Sequence, residues 1–509
     1  MERKAVRITG AFLLHTGYRH RRAIDMKLNE VLNGIAVSGT YRPETEVSDI
    51  VYDSRKAQSS VLFVCLSGAR ADGHLYAKSA YEKGCRVFLC EKTVELPSDA
   101  QVIYCKDTRA ALAKASCNFF SNPSREIAVI GITGTKGKTT VAHIVKQVLD
   151  KAGIMTGIIG TVGAGYGDVT LPTVNTTPES YELQKMFRQM ADAGCKACAI
   201  EVSSLGLKAH RVDGTSFKIG VFTNLYPDHI GTNEHASFEE YAYWKKQLFP
   251  MCEKAIVNID DAFSDEIISC CNGEVITYGY DEKADLRLLE TEKVKVKNLL
   301  GVAFSYAYHD SIYKDLISLP GDINAVNALA AIAAAGIMGV KNTDLGESLR
   351  HVFVKGRGEV VETGRDFSII IDYAHNGVSL MSIIETARAY EHNRIIALYG
   401  SVGGRTEIRR RELGLVSGKM CDLTIITSDD PDFEDPENIM NDIAAAVEEA
   451  GGKYVKIADR AKAIEYAVSI AEPHDIFIFA GKGHEQFMKV RGEKLPFSEK
   501  DEILKALKK

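Results

Sequence analysis

Short, continuous apolar runs recur along the chain, separated by stretches whose apolar residues fall three and four apart. The first pattern predicts strands buried on both faces, and the second predicts helices lying on them. Ser60–Leu66 and Cys85–Cys90 read as strands with a helix, Ala77–Lys83, between them. A helical stretch, Thr108–Phe120, follows, and Ser121-Asn-Pro-Ser124 reads as a linker. A second series opens with the apolar run Ile127–Ile132. Behind it, Val141, Ile144, Val145, Val148 and Leu149 recur at helical spacing, and Gly153 stands where a helix would end. Ala197–Glu201, Ile219–Thr223 and Lys254–Asn258 are further strands of this series. A third comprises Phe367–Asp372, Arg394–Tyr399, Leu423–Thr427 and Asp475–Ala480, with helical patterns between them. Alternating strand and helix predicts parallel, doubly wound sheets. The expected architecture is α/β in three domains: 26–122, a central P-loop ATPase-type sheet over 123–355, and a C-terminal Rossmann-like sheet over 356–509.

Length and composition fit this picture. The 509 residues are 45% hydrophobic and 26% charged, ordinary for a globular protein with several cores. A net charge of −6 offers no general attraction to nucleic acid or to an anionic membrane. No stretch reaches the 18 or so apolar residues of a membrane span, so no membrane insertion is expected. Eleven scattered cysteines suit a reducing cytoplasm. Cys195 and Cys198 form the only C-x-x-C spacing, which reads as two small buried residues entering a strand rather than as a metal site. Residues 1–25 are basic, and Met26 reads as a fresh start. They are expected to be a leader or an upstream-start extension.

The chemistry begins directly after Ile127–Ile132. Gly134-Thr135-Lys136-Gly137-Lys138-Thr139-Thr140 lies between a strand and a helix, the context of a phosphate-binding loop. Its glycines let backbone N–H groups approach phosphate oxygens, Lys138 would reach the β- and γ-phosphates, and Thr139 could bind Mg²⁺. Ile132 stands where the longer form of the motif has its first glycine. Glu201 ends a strand, where ligands bind in open α/β sheets, and could hold Mg²⁺ or simply be solvated. Asp228 and His229 follow another strand and could serve a metal or a phosphate. Lys245 lies in a helical stretch, and on residue type alone a solvated lysine is the plainer reading.

The order of these motifs resembles the Mur ligase family. The resemblance is carried by Gly-Thr-Lys-Gly-Lys-Thr-Thr, Glu201-Val-Ser-Ser204, Phe222-Thr-Asn-Leu with Asp228-His229, Tyr241 with Lys245, and Asn258-Ile-Asp-Asp261. It continues through Leu319–Ala328, Gly356-Arg-Gly-Glu359, Ile371–His375, Asp459-Arg460 and Ala480–Glu485. In the first domain Asp53-Ser-Arg55, Leu62–Leu66 and Asp72-Gly-His74 agree. The last motifs are similar to the UDP-N-acetylmuramoyl-tripeptide synthetase branch. The resemblance implies a cytoplasmic, monomeric enzyme of peptidoglycan precursor synthesis. In the implied reaction ATP phosphorylates a carboxylate of UDP-MurNAc-L-Ala-D-Glu, and an amino acid's amine attacks the acyl phosphate. It implies Lys138, His229 and Lys245 as catalytic residues, and Thr139, Glu201, His229 and a carbamylated Lys245 as the Mg²⁺ set. Asn324, Arg357, Asp372 and His375 would join the loop at ATP. Ser54 and Arg55 would meet the uridine end, and Asn175, Thr176, Thr177, Ser203 and Arg211 the muramoyl peptide. Arg405, Asp429, Asp430, Gly481 and Glu485 would meet the amino acid.

Three departures qualify the resemblance. Leu205 replaces a histidine often found after Glu-Val-Ser-Ser, so any role of that histidine is absent or moved to His210. Asn376-Gly-Val replaces a Thr-Pro run, which should alter only a turn. Where family enzymes adding meso-diaminopimelate show Asp-Asn-Pro-Arg, this chain has Asp429-Asp-Pro-Asp432. An aspartate would repel a distal carboxylate and favour a distal ammonium, so L-lysine is the expected amino acid and meso-diaminopimelate the alternative, with Arg405 or Arg410 as possible cations. Two rivals are a non-catalytic nucleotide-binding relative and a folylpolyglutamate synthase. The retained Lys138, Glu201, His229 and Lys245 oppose the first, and the Asp53-Ser-Arg55 domain opposes the second. A third, the amidotransferase-partner branch, would need a Cys₄ zinc insert that one C-x-x-C does not supply.

Overall fold

A computed structural model describes residues 26–68, 71–228, 230–231, 234–296, 299–404 and 407–509. The 1–25 segment, His229 and Arg405 lie outside the described residues. The chain divides into two compact units, one ending at Ser121 and one running from Asn122 to Lys509.

The first unit is a five-stranded sheet. Its strands are β1 (Val37–Ser38), β2 (Asp49–Val51), β3 (Val61–Val64), β4 (Val87–Cys90) and β5 (Gln101–Cys105), in the order β1-β5-β4-β3-β2. All neighbours are parallel except β1 and β5. Every residue of β3 and β4 is buried, which is why both read as unbroken apolar runs. Helices α1 (Ala77–Glu82) and α2 (Thr108–Phe119) are where periodicity placed them. Asp107 caps α2 by accepting from the N–H groups of Arg109 and Ala110. Ser54 and Arg55 form a 3₁₀ turn just beyond β2, where Arg55 pairs with Asp53 at 2.7 Å.

The second unit holds two large sheets. The first has eleven strands: β6 (Ala128–Thr133), β7 (Thr156–Gly160), β8 (Gly163–Tyr166), β9 (Val169–Leu171), β10 (Ala197–Glu201), β11 (Phe217–Phe222), β12 (Cys252–Asn258), β13 (Glu274–Gly279), β14 (Leu286–Val296), β15 (Leu299–Tyr308) and β16 (Ser311–Ile317). Their order is β9-β8-β7-β10-β6-β11-β12-β13-β14-β15-β16. The strands from β7 to β14 in this order are parallel neighbours, and both margins are antiparallel. Strand β6 is central, between β10 and β11, so the loop after it opens at the middle of the sheet's carboxyl edge. Helix α3 (Lys138–Lys151) packs its Val141, Ile144, Val145 and Val148 stripe on one face. Burial of each such side chain contributes about 1.5–3 kcal/mol. Helix α4 (Ser180–Asp192) covers the other face with Leu183, Met186, Phe187 and Met190. Helix α5 (Phe238–Lys246) is capped by Ser237, and α6 (Ile323–Ile337) is alanine-rich and buried almost all round.

The other sheet comprises β17 (Glu359–Val361), β18 (Ser368–Asp372), β19 (Ile395–Tyr399), β20 (Leu423–Ile426), β21 (Tyr454–Lys456) and β22 (Ile476–Ala480), ordered β17-β18-β22-β19-β20-β21. All pairs but β17–β18 are parallel. Helices α7 (Gly377–Arg388), α8 (Glu407–Met420), α9 (Pro436–Glu449), α10 (Arg460–Ser469) and α11 (Glu499–Leu507) flank it. Asn376 caps α7 by accepting from the Ser379 N–H at 2.9 Å. A hairpin of β23 (Phe487–Val490) and β24 (Glu493–Pro496) stands apart from this sheet. Among the described residues no helix is long and apolar enough to cross a membrane.

Candidate active site

The loop after β6 is built so that only glycine fits at its first position. Gly134 has φ +149°, and a Cβ there would lie 1.9 Å from the Thr223 hydroxyl. Thr223 donates to the Lys136 carbonyl at 2.7 Å, and Asn224 accepts from the Lys136 N–H at 2.9 Å. These two residues at the end of β11 clamp the loop from the side. Lys138, at the start of α3, curls back so that its ammonium donates to the carbonyls of Gly134 and Thr135 at 2.7 and 3.0 Å. Burial pushes its pKa down to about 8, with Glu201 acting in the opposite sense.

Thr139 points to the other side and donates to Glu201 Oε2 at 2.9 Å. Glu201 is buried at the end of β10. It also accepts from the Thr161 N–H at 2.8 Å and from the Thr161 hydroxyl at 3.2 Å. Gly160 makes room for it, since a Cβ there would stand 2.1 Å from Glu201 Oε1.

Lys245 is not a solvated helix lysine. It is 1% exposed, and its ammonium donates to the same Gly134 carbonyl at 2.7 Å. The Tyr241 ring lies 4.6 Å away, and Tyr241 and the Thr135 hydroxyl are 3.2 Å apart. Burial, and then the neighbouring Lys138 charge, push the Lys245 amine well below its ordinary pKa. Two buried amines thus meet at one backbone carbonyl.

The peptide-end residues gather beside Glu201. Thr177 donates to the Glu201 carbonyl at 2.9 Å, lies 3.0 Å from the Ser203 hydroxyl, and accepts from the Ser203 N–H. Thr176 and Thr161 share a hydroxyl contact of 3.0 Å. Arg211 reaches back to Glu179 at 2.9 Å and to the Thr177 carbonyl at 3.1 Å. Asn175 is exposed on the segment before them. His210 pairs with Asp213 at 2.7 Å within its own turn, which does not support its taking over the role of a histidine at 205.

Residues from both sheets of this unit meet around the loop. Asn327, near Gly137, donates to Asn324 at 3.1 Å. Asp372 accepts from the N–H groups of Gly358 and Ala374 at 2.7 and 2.9 Å. Burial raises its pKa, while Arg357 opposes that rise. The Arg357 guanidinium lies 4.9 Å from the Tyr373 ring, which His375 and His484 also approach, at 5.1 and 4.9 Å. Arg357 is near enough to Lys138 to depress its pKa further.

The acidic residues form a separate cluster at the carboxyl ends of β20 and β22. Its centre is Lys482, which no motif reading had singled out. This buried ammonium pairs with Asp430 and Glu485 at 2.7 Å each and with Asp429 at 3.5 Å. Burial works to lower its pKa, yet the three carboxylates together hold it above its ordinary value. Gly481 adjoins Asp429, as a Cβ there would lie 2.5 Å from its Oδ2. Arg460 ties the two strand ends together, donating to the carbonyls of Ser428 and Ala480 while paired with buried Glu499 at 2.8 Å. Arg410 is enclosed by Glu434 and Asp442, at 2.6 and 2.8 Å, so its charge is spent within the fold. Cys195 and Cys198 are both buried, consistent with two small core residues.

Three family models match this chain: the Mur ligase family catalytic domain over 46–120, the Mur ligase middle domain over 132–335, and the Mur ligase glutamate ligase domain over 356–483. A UDP-N-acetylmuramoyl-L-alanyl-D-glutamate–2,6-diaminopimelate ligase of Caldanaerobacter subterraneus subsp. tengcongensis is 40% identical over 484 residues, covering 95% of this chain and 99% of that protein. Its counterpart of the same name in Clostridium botulinum is 37% identical over 489 residues, with 95% and 100% coverage. A solved ligase of that name superposes with a TM-score of 0.70 at 25% identity, covering 95% of this chain and 99% of its own. The chain belongs to the Mur ligase family, and it is an ATP-dependent ligase.

Proposed function

We propose that this ligase joins 2,6-diaminopimelate to the glutamate carboxylate of UDP-N-acetylmuramoyl-L-alanyl-D-glutamate, a step of peptidoglycan precursor synthesis. The observation that carries the reading is the convergence of Lys138, Thr139, Glu201 and Lys245 on one phosphate loop, in a chain alike over nearly its whole length to ligases of that name.

The glutamate carboxylate is a poor acyl donor until ATP phosphorylates it. Lys138 brings a cation to the phosphate cradle, where transferring charge must be stabilised. Thr139 and Glu201 offer a hydroxyl and a carboxylate oxygen 2.9 Å apart, an all-oxygen pair suited to a hard divalent cation. Bound Mg²⁺ would neutralise charge between the phosphates and the incoming carboxylate. Thr139→Val should raise the Mg²⁺ concentration for half-maximal ligation about tenfold, the effect of losing roughly 1.4 kcal/mol of ligand contact. A magnesium titration with unchanged midpoint would remove Thr139 from this role.

Lys245 is proposed to work as a carbamate. Burial lowers the pKa of this amine, which favours the neutral form that attacks CO₂. The nitrogen bonds to carbon, one C–O electron pair becomes an oxyanion, and the nitrogen loses a proton to water. The product is an anionic, carboxylate-like ligand made from a basic residue. His229 is kept as a proposed metal residue. Ser54 and Arg55 are proposed for the uridine end, and Asn175, Thr176, Thr177, Ser203 and Arg211 for the muramoyl peptide. The acidic cluster about Lys482 is proposed for the amino acid.

Lysine was the amino acid expected from Asp432, but two observations favour diaminopimelate. The relatives alike over 95% of the chain carry it in their names. Asp432 is also engaged: it pairs with Lys489 and accepts from the Gly492 N–H at 2.7 Å, which holds its carboxyl below the usual range. Lys489 therefore offsets much of the charge that a distal ammonium would meet. A ligation assay with UDP-MurNAc-L-Ala-D-Glu and meso-diaminopimelate, L-lysine or L-ornithine tests the choice. Diaminopimelate should give the highest kcat/KM, and preference for either other amino acid would overturn it.

A further inference from the structure

Diaminopimelate differs from lysine by a carboxylate on the carbon bearing the second amine. A site that takes the first and refuses the second needs a cation at that end, because burying an unpaired carboxylate is costly. Around the acidic cluster, the hairpin β23–β24 supplies such a feature. Along β23, side chains alternate between faces, so Phe487 and Lys489 share one. In the antiparallel register Lys489 stands directly opposite Lys494, which puts Lys494 on that face too. The face is oriented by Phe487, whose ring lies 5.4 Å from the Lys482 ammonium and 4.0 Å from that of Lys494.

The hairpin is also fastened to the loop that carries the cluster. The Lys489 N–H donates to Asp430 Oδ1 at 2.9 Å, the same oxygen that Lys482 holds. Asp432 donates through its N–H to the Lys489 carbonyl at 3.1 Å and accepts from the Arg491 N–H at 2.7 Å. Asp432 itself is left-handed at φ +52°, a conformation that a non-glycine residue keeps only when its surroundings impose it. Lys489 is thus one hydrogen bond from the Asp430–Lys482–Glu485 network. Like charges directly opposite on a hairpin repel. Asp432 offsets Lys489, and an anion arriving between the two lysines would relieve the rest.

We propose that Lys489 and Lys494 together read the second carboxylate of the incoming amino acid and so set the preference for diaminopimelate. This rests on the function proposed above, with the Lys482 cluster as the amino-acid subsite. It assigns to the hairpin a role that the Asp429–Asp432 motif cannot fill.

The test uses the full chain with Lys489→Gln, Lys494→Gln, the double variant, and the double Lys→Arg variant. KM and kcat are measured for meso-diaminopimelate and L-lysine at saturating ATP and UDP-MurNAc-L-Ala-D-Glu. The double glutamine variant should raise the KM for diaminopimelate about tenfold or more, the loss expected for a charge-assisted contact, and shift preference toward L-lysine. The KM for ATP should stay within about twofold, which also reports that the chain is folded, and the arginine pair should restore most of the affinity. A wild-type enzyme that refuses diaminopimelate overturns the underlying choice of amino acid, and this proposal with it. A wild-type enzyme that accepts it, with an unchanged KM in a folded double glutamine variant, overturns this proposal alone.

Discussion

Lys138→Ala is expected to abolish ATP-dependent ligation, lowering kcat/KM by about a thousandfold or more. Removal of a single well-placed donor at developing charge already costs about 10²–10³, and Lys138 brings a full cation. Its ammonium lies against the Gly134 and Thr135 carbonyls, inside the loop that would cradle the phosphates. Alanine keeps the helix start, since it has the highest helix propensity, and removes a buried amine whose desolvation has already depressed its pKa to about 8. The variant should therefore fold and still bind UDP-MurNAc-L-Ala-D-Glu. Phosphate release and thermal melting measured together check both halves, and near-normal ligation by the variant would refute the assignment.

Lys245→Ala should be inactive for a different reason, and rescuable. The lost group is proposed to act as a carboxylate, so acetate or formate diffusing into the vacated space should restore part of the rate. For Lys138→Ala, by contrast, an added carboxylate has the wrong charge. The pH dependence follows from the direction of the Lys245 shift. Burial and Lys138 lower its pKa, so the neutral amine that takes up CO₂ persists to lower pH than for an exposed lysine. Acidification through the lowered pKa protonates it and opposes carbamate formation. Wild-type activity should accordingly fall on the acid side and in CO₂-depleted buffer, and recover with bicarbonate. Full activity of Lys245→Ala without added carboxylate would sink the carbamate proposal.

What sequence could reveal here depended on how locally each feature was determined. The parallel strands were legible because strands such as β6, β10 and β22 are buried on both faces and carry no polar alternation. The antiparallel margin from β14 to β16 was missed. In β14 Lys293, Val294, Lys295 and Val296 alternate, a half-exposed pattern without an apolar run. Strands β7 and β8 are short and glycine-rich, β9 has only three residues, and each strand of the β23–β24 hairpin has only four. In the site, the loop and Glu201 could be read from residue type and strand context. The burial of Lys245 could not, because Tyr241 and the Gly134 carbonyl reach it only in the folded state. The same limit bears on the lysine expectation. Asp432 was read as a charge facing substrate, but its partner, Lys489, lies 57 residues further on. Lys482 stood inside a quoted motif without an assigned role, and only its three carboxylate partners reveal it.

The Arg460–Glu499 pair has a bearing on how the enzyme is made. Arg460 holds the ends of β20 and β22 together, and its counter-charge comes from the first residue of α11, 39 residues further on. A cation buried without its partner is strongly unfavourable. Chain growth proceeds from the N-terminus, so Arg460 is made before the residue that neutralises it. The phosphate loop is therefore made before the tie between the ends of β20 and β22 can close. A nascent molecule would thus complete the nucleotide-binding loop before the proposed amino-acid cluster is secured.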